Sequence, residues 1–357
     1  MTVYLVNILL LLAWAALLLW HRPDRVKRAL FCMVASAQWI AISGLRHPSV
    51  GADTSAYRDW FYRILATPWS QVLGSLWGTF FGGLGARDPG YPVFVKTVQL
   101  VTHEYQVFLI IVAALFMIPL GLLVYRHSAD PFISFMIYST LFFEFFAITG
   151  IRQTIATALA VLIGYTFVVK RQVLPFLVVS AVAFTIHKSA LVFVPFYLLA
   201  NVNLTQKHMA RVFVAMPFVF ALRSPIGYFF ASTFYPQDQY LRAYEGAGTW
   251  TFTAMLVLVA VIALVRFKRI TSSDALSRSW YVALLLALLS VPLTFRNPSA
   301  MRVVQYFTLF LMLLIPAIVN TLKTKEERML GYWAAAAVLG ALLVRKSPEY
   351  LFFWQGF

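Results

Sequence analysis

The chain has 357 residues, of which 61% are hydrophobic and only 12% charged, so a water-soluble globule of this length could not cover its own apolar surface. Its formal charge of +16 falls between apolar stretches rather than along one solvated face, which argues against nucleic acid as a partner and for a bilayer. The single cysteine, Cys32, excludes an intramolecular disulfide.

A hydrocarbon core of about 30 Å calls for apolar runs of roughly 15 to 22 residues. On that scale the sequence predicts an all-α polytopic membrane protein, a single multispan domain over 1–357 with about 12 transmembrane or re-entrant helices. The first, 3–20, follows Met1 with no basic leader and no small-residue cleavage site, and reads as a retained span rather than a signal peptide. The second covers 29–45. Residues 46–104 then form an outer interfacial segment in which Tyr57, Phe61, Ile64 and Leu65 share one helical face and 90–103 dips toward the membrane. Between those two pieces lies a glycine-rich stretch, 74–90, expected to be mobile. Further spans are expected at 105–124, 131–149, 151–169, 173–187, 189–203, 209–233, 250–265, 277–295, 301–320 and 329–344.

The cluster HRPDRVKR after the first span, and KTKEER before the last, place both chain ends outside by the positive-inside rule. Slightly over half of the Lys and Arg then fall in short inner connectors. The remainder need another reason, and they gather beside Arg46, Arg152, Lys188, Arg296 and Arg302. The spans 173–187 and 189–203 are short and meet at His187-Lys188-Ser189, which predicts a hairpin against a wet cavity. Arg152 and Gln153 follow Gly150 at another junction, with Glu144 facing the same region. A guanidinium in a buried aqueous cleft is paired or binds an anion. Trp60, Trp69 and Trp77 read as interfacial aromatics, and Arg345 and Lys346 as the end of the last span.

No GxxxxGK[ST], HExxH, CxxC or GxSxG pattern occurs, so nucleotide-driven transport, zinc hydrolysis and serine-hydrolase chemistry lack their parts. What converges on the outer side is a set of arginines, an Asp, a His and several Tyr and Trp. Arginine forks suit phosphate oxygens, and aromatic faces suit sugars, so the combination describes a site for a phosphate-linked carbohydrate at a membrane surface.

Four short motifs carry a family resemblance. Arg46 with Val50-Gly51-Ala52-Asp53-Thr54 and Tyr57 resembles the signature after the second span of the EpsG family, the Wzy-like polymerases of bacterial exopolysaccharide. Gly150-Ile151-Arg152-Gln153 with Ala156, then His187-Lys188-Ser189-Ala190, then Arg302 with Tyr306, resemble that family's later motifs in order. Ala52, where Thr is frequent, and the long basic glycine-rich segment before Asp88-Pro89-Gly90 depart from the pattern. The resemblance implies a GT-C-like polymerase or ligase bundle at the periplasmic face of the bacterial inner membrane. It implies transfer of a growing glycan from undecaprenyl pyrophosphate onto a lipid-linked repeat unit. Lipid-linked donor and acceptor, membrane lipid, a chain-length regulator and a flippase are the partners it suggests.

In that reaction an acceptor hydroxyl attacks the anomeric carbon and the pyrophosphate leaves with negative charge, which fixed cations stabilise. Arg46, Arg152, Arg296 and Arg302 are the candidate clamp, with Tyr57, Gln153, Lys188, Ser189 and Tyr306 as further substrate contacts. The base is His187 or Asp53, His187 being favoured because imidazole titrates near working pH. Asp53 also sits where an N-cap would start the helix through Tyr57. No metal or cofactor is required, although Asp53 could hold a cation. Two other classes share parts of the pattern: a polyprenyl-phosphate-dependent single-sugar glycosyltransferase, and a non-enzymatic flippase or exporter of lipid-linked oligosaccharide.

Overall fold

The computed structural model describes residues 2–20, 23–83, 87–234, 249–322, 324, 326–327, 330–332 and 349–355. Among these the chain is helical, with one isolated bridge between Arg46 and Phe352. Four helices are long and apolar enough to cross a membrane: Tyr105–His127, Ile151–Val169, Trp250–Ser273 and Ser277–Phe295. Two bent pairs bring the number to six, and four shorter apolar helices accompany them. The protein is therefore a polytopic helical membrane protein. The expected last span, 329–344, and Arg345 and Lys346 lie almost entirely outside the described residues.

By its internal contacts the chain divides into two units, Met1–Leu191 with Tyr332–Phe357, and Val192–Gly331. In the first unit α1 (Thr2–Leu18) is followed by α2 (Arg25–Gly44), whose N-cap Asp24 accepts from the Lys27 amide at 2.7 Å. Three helices fill the segment before the next span: α3 (Thr54–Ala66), α4 (Trp69–Phe81) and α5 (Gly90–Val98). The existence of α4 corrects the expectation of a mobile stretch. Gly74 and Gly78 lie inside it, and the helix ends only where Gly82 and Gly83 follow each other. Its Leu73, Trp77, Phe80 and Phe81 are exposed at i, i+4, i+7 and i+8, one continuous apolar stripe.

Next come α6 (Tyr105–His127) and α7 (Pro131–Ile137), the latter continued by π-helical turns over Tyr138–Phe142 and Glu144–Ile148. The wider turns carry side chains off the regular 3.6-residue face, as π-bulges do near functional sites. Trp39 Nε1 donates to Ser139 Oγ at 3.0 Å and Ser43 Oγ to the Ala147 carbonyl at 2.7 Å, which fastens α2 to this irregular span. At Gly150 the backbone takes φ +65°, a left-handed conformation that costs glycine little, and the chain turns into α8 (Ile151–Thr157). A further π-helical segment leads to α9 (Gly164–Val169), and α10 (Val173–Ile186) ends at His187.

One apolar cluster lies beneath the end of this unit that matters for function. Phe61 and Ile64 of α3, Tyr91, Val95 and Val98 of α5, Tyr105, Phe108, Leu109 and Val112 of α6, Ile151 and Ile155 of α8 and Ile186 of α10 are buried together. Removing that much apolar surface from contact with water or loose lipid fixes five helix ends relative to one another. The tightest approach is at Gly90, where an added Cβ would stand 2.6 Å from Thr185 Cβ and 2.9 Å from its carbonyl carbon. Gly90→Ala is expected to push α5 away from the end of α10, costing about 1 to 3 kcal/mol as overpacking does. The melting temperature should fall. An unchanged value would show that the two helices can separate freely.

The second unit contains the broken spans. Here α11 (Phe196–Leu199) replaces the expected continuous span over 189–203, because Lys188–Phe193 is a 3₁₀ turn and Pro195 restarts the helix. The pair α12 (Gln206–Ala221) and α13 (Arg223–Phe234) is bent by 76°, with Pro217 inside the first and Pro225 near the start of the second. Then α14 (Trp250–Ser273) buries Leu256, Ala260, Ala263, Phe267 and Ile270, and Tyr281 of α15 (Ser277–Ser290) donates to the Ala263 carbonyl at 2.8 Å. The last described span, α16 (Met301–Thr308) and α17 (Leu311–Asn320), is bent by 52°.

Candidate functional site

Four elements of the first unit bring their chemistry to one place. From α3 come Tyr57 and Trp60, from the turn before α5 come Arg87 and Asp88 with Tyr91 just beyond, from α8 comes Arg152, and from the end of α10 come His187 and Lys188. The close contact of Gly90 with Thr185 explains why the turn before α5 meets the end of α10, since Asp88 precedes one partner by two residues and His187 follows the other by two.

Asp88 is the centre of the group, and its side chain is fully buried. Oδ2 accepts from Arg152 Nη1 at 2.9 Å and lies 3.6 Å from Arg87 Nε. Oδ1 accepts from the Lys188 amide at 3.2 Å and lies 3.6 Å from His187 Nδ1, within ion-pair range and longer than a hydrogen bond. The Asp88 backbone has φ +53°, a left-handed conformation that Asp tolerates better than most residues, and its carbonyl accepts from the Tyr91 amide at 3.1 Å. Burial pushes the Asp88 carboxyl upward; His187, the Arg152 guanidinium and the Lys188 amide together outweigh it and hold the group below the usual carboxylate range. Asp88 is therefore an anion across physiological pH.

Arg152 is the second organiser. Besides Asp88 it donates from Nε to the Tyr57 hydroxyl at 3.2 Å, and its guanidinium carbon lies 5.6, 6.0 and 5.8 Å from the ring centroids of Tyr57, Trp60 and Tyr91. The guanidinium expected to grip phosphate thus already holds a carboxylate. Trp60, expected at the bilayer interface, stands 6.1 Å from Tyr91 at this site and is 37% exposed. Gln153 is buried beside Arg152 in sequence, and Ser189 is buried after Lys188.

Other predicted residues lie apart from this group. Asp53 occupies the N-cap position of α3, but it is exposed and its carboxylate makes no capping hydrogen bond. The reason is local: φ −111° and ψ 0° replace the extended backbone from which a cap side chain reaches the first turn. Arg46 is buried rather than snorkelling. Its Nη1 donates to the Ser43 carbonyl, and the stretch 349–355 covers it: the His47 amide donates to the Leu351 carbonyl at 2.8 Å and the Phe353 amide to the Leu45 carbonyl at 2.9 Å. Arg296, Arg302 and Tyr306 belong to the second unit. There Arg296 is buried 5.9 Å from the Tyr228 ring centroid, after a 3₁₀ turn over Val291–Phe295, while Arg302 is half-buried and Tyr306 fully buried on α16.

The matching family model is that of the EpsG family, over residues 29–355. The chain belongs to the EpsG family. Membership points to an exopolysaccharide-polymerase-like role and to a polymerase-type glycosyltransferase reaction. No curated protein and no solved structure matches the chain.

The residue that sequence reasoning missed in this EpsG-family chain is Asp88. Its one visible signal was chemical: among 13 acidic residues set against 29 basic ones, it stands directly after an arginine and before Pro89-Gly90 in an otherwise apolar region. Asp88 and His187 are a pair, and among the described residues no three His, Cys, Asp or Glu side chains come together. Such an arrangement, a buried anion contacting an imidazole and a guanidinium under three aromatic rings, can orient a base and present cations to an anionic, ring-bearing ligand.

Proposed function

We propose that this protein polymerises a polysaccharide, joining undecaprenyl-pyrophosphate-linked repeat units at the periplasmic face of the bacterial inner membrane. The observation that carries the reading is the meeting of Arg152, Arg87, Lys188 and His187 around one carboxylate and beside Tyr57, Trp60 and Tyr91, in a membrane protein of the EpsG family. Two guanidinium groups set against a single carboxylate leave excess positive charge for a phosphate-bearing substrate, and the part-exposed rings of Tyr57 and Trp60 offer faces to sugars.

In this reading His187 takes the acceptor proton, and Arg152 and Arg87 present cations to phosphate; Arg296 and Arg302 are the phosphate-binding candidates of the second unit. Tyr57 holds Arg152 through its hydroxyl; Gln153, Lys188 and Ser189 are substrate contacts of the first unit, and Tyr306 is a candidate contact of the second. About 12 spans and re-entrant helices in a GT-C-like arrangement, with both chain ends outside, complete the proposal.

A deletion strain tests it through its lipid-linked glycans. Complete single repeats accumulating on the outer side, with long polymer lost, are the expected result. Truncated repeats lacking one sugar would instead mark a single-sugar glycosyltransferase. Complete repeats trapped on the cytoplasmic side would mark a flippase.

A further inference from the structure

We propose that Asp88, and not Asp53, is the carboxylate of the reaction centre, a positioning residue that orients His187 for proton transfer and offsets the charge of the imidazolium that forms. The inference rests on the glycosyl-transfer reading above, and it goes further by assigning the group through which His187 is made competent.

The chemistry sets the requirement. The acceptor oxygen forms a bond to the anomeric carbon of the donor sugar as the bond from that carbon to the pyrophosphate oxygen breaks, the electron pair leaving with the phosphate. The acceptor proton passes to His187. Because Nδ1 faces Asp88 Oδ1 at 3.6 Å, the transfer falls to Nε2. An imidazole that must become a cation here does so among other cations. Arg152 reaches in from α8 and Arg87 stands beside Asp88 before α5, while Lys188 brings its backbone amide to Asp88 and Tyr57 of α3 and Tyr91 of α5 bring their phenols. Each neighbouring positive charge disfavours the imidazolium. Asp88 stands in ion-pair range of His187, and its burial keeps water from competing for the same oxygens.

Two further features suit positioning rather than direct proton transfer. Asp88 is held ionised below the usual carboxylate range, so it is a poor proton acceptor near neutral pH. Its backbone is kept at φ +53°, a conformation that costs free energy and persists where the surroundings determine it. Asp53, exposed and without a capping hydrogen bond, has neither property.

Two measurements on purified full-length protein in nanodiscs test this. The first needs no substrate: selective ¹⁵N-histidine NMR follows the titration of His187, assigned by its loss in His187→Gln. Asp88→Asn is expected to move that titration about 1 to 3 pH units lower, the usual effect of removing an adjacent opposite charge, and Asp53→Asn to leave it in place. The second uses lipid-linked single repeats extracted from the deletion strain. Asp88→Asn should lower kcat about 10- to 100-fold, as loss of an orienting partner does, without raising the donor KM, and the acid limb of kcat/KM should move with the NMR titration. An unmoved His187 titration in Asp88→Asn overturns the inference, as does a titration that moves in Asp53→Asn instead. If Asp88→Asn does not fold, Asp88→Glu decides: it keeps the charge, so the titration must stay at the wild-type position, and a lowered one overturns the proposal. A titration that moves as expected in a strain that accumulates no single repeats would retain the charge pair and reject the polymerase reading.

Discussion

His187→Ala lowers turnover by about 10² to 10⁴, the scale on which a positioned acid or base contributes, and leaves the donor KM close to wild type. The expectation follows from where His187 sits. It closes α10, its amide donates to the Ala183 carbonyl at 2.9 Å, and it is 4% exposed, so its backbone is held by the helix and its ring is buried in ion-pair range of Asp88. Alanine keeps the first of these and loses the second. Single-turnover kinetics with extracted lipid-linked repeats separates the steps, and a loss confined to KM would make His187 a binding residue instead. Near-normal turnover would pass proton removal to water or to the departing pyrophosphate.

The second large effect is at Arg152. Lysine retains the charge but not the planar fork, so it cannot serve the Asp88 carboxylate and the Tyr57 hydroxyl at once. Arg152→Lys is expected to abolish or severely reduce polymer while protein level stays normal. Arg152→Ala removes the charge and leaves Asp88 buried without its closest cation, a loss of about 3 to 5 kcal/mol for a broken buried pair, so protein level and melting temperature should fall as well. Arg302→Lys in the second unit gives the comparison, because polymer is lost there only if that guanidinium also meets phosphate. Immunoblots for polymer and protein, with thermal melts in detergent, read all three variants. Wild-type polymer from Arg152→Lys would reduce Arg152 to a helix anchor.

How much of this was legible in the sequence depended on whether the signal was local. The spans 105–127 and 151–169 announce themselves by apolar length, and the structure places them within a few residues of expectation. Breaks over 189–203 and 209–233 were harder to read, because proline and glycine mark where a helix can bend and not by how much, as with the 76° between Ala221 and Arg223. Glycine misled in the opposite direction at α4, where Gly74 and Gly78 sit in a helix whose apolar stripe outweighs their propensity cost.

For the site, Arg152, His187, Lys188 and Tyr57 were legible because each stands beside a junction where a polar residue has no other reason to be. Asp88 was not. Its partners Arg152 and Lys188 are 64 and 100 residues away, and no periodicity links positions so far apart. Asp53 drew attention as a cap, since Asp-Thr-Ser before an amphipathic helix is a strong local start signal, while the backbone geometry that disables that cap is invisible in composition.

The cover over Arg46 has a consequence for biosynthesis. The Tyr350 hydroxyl donates to the Ile42 carbonyl across 308 positions of chain, and residues 351–353 pair with 45–47. A ribosome that has released the first 191 residues into the membrane has made nearly all of the first unit but not the stretch that shelters its buried guanidinium. Until residues 349–355 are made, that arginine lacks their cover, and closing so long a loop is slow compared with forming local helices. Chains that stop before residue 349 therefore carry an open charge at the end of their second helix, a feature by which membrane quality control could tell them from chains that have the cover.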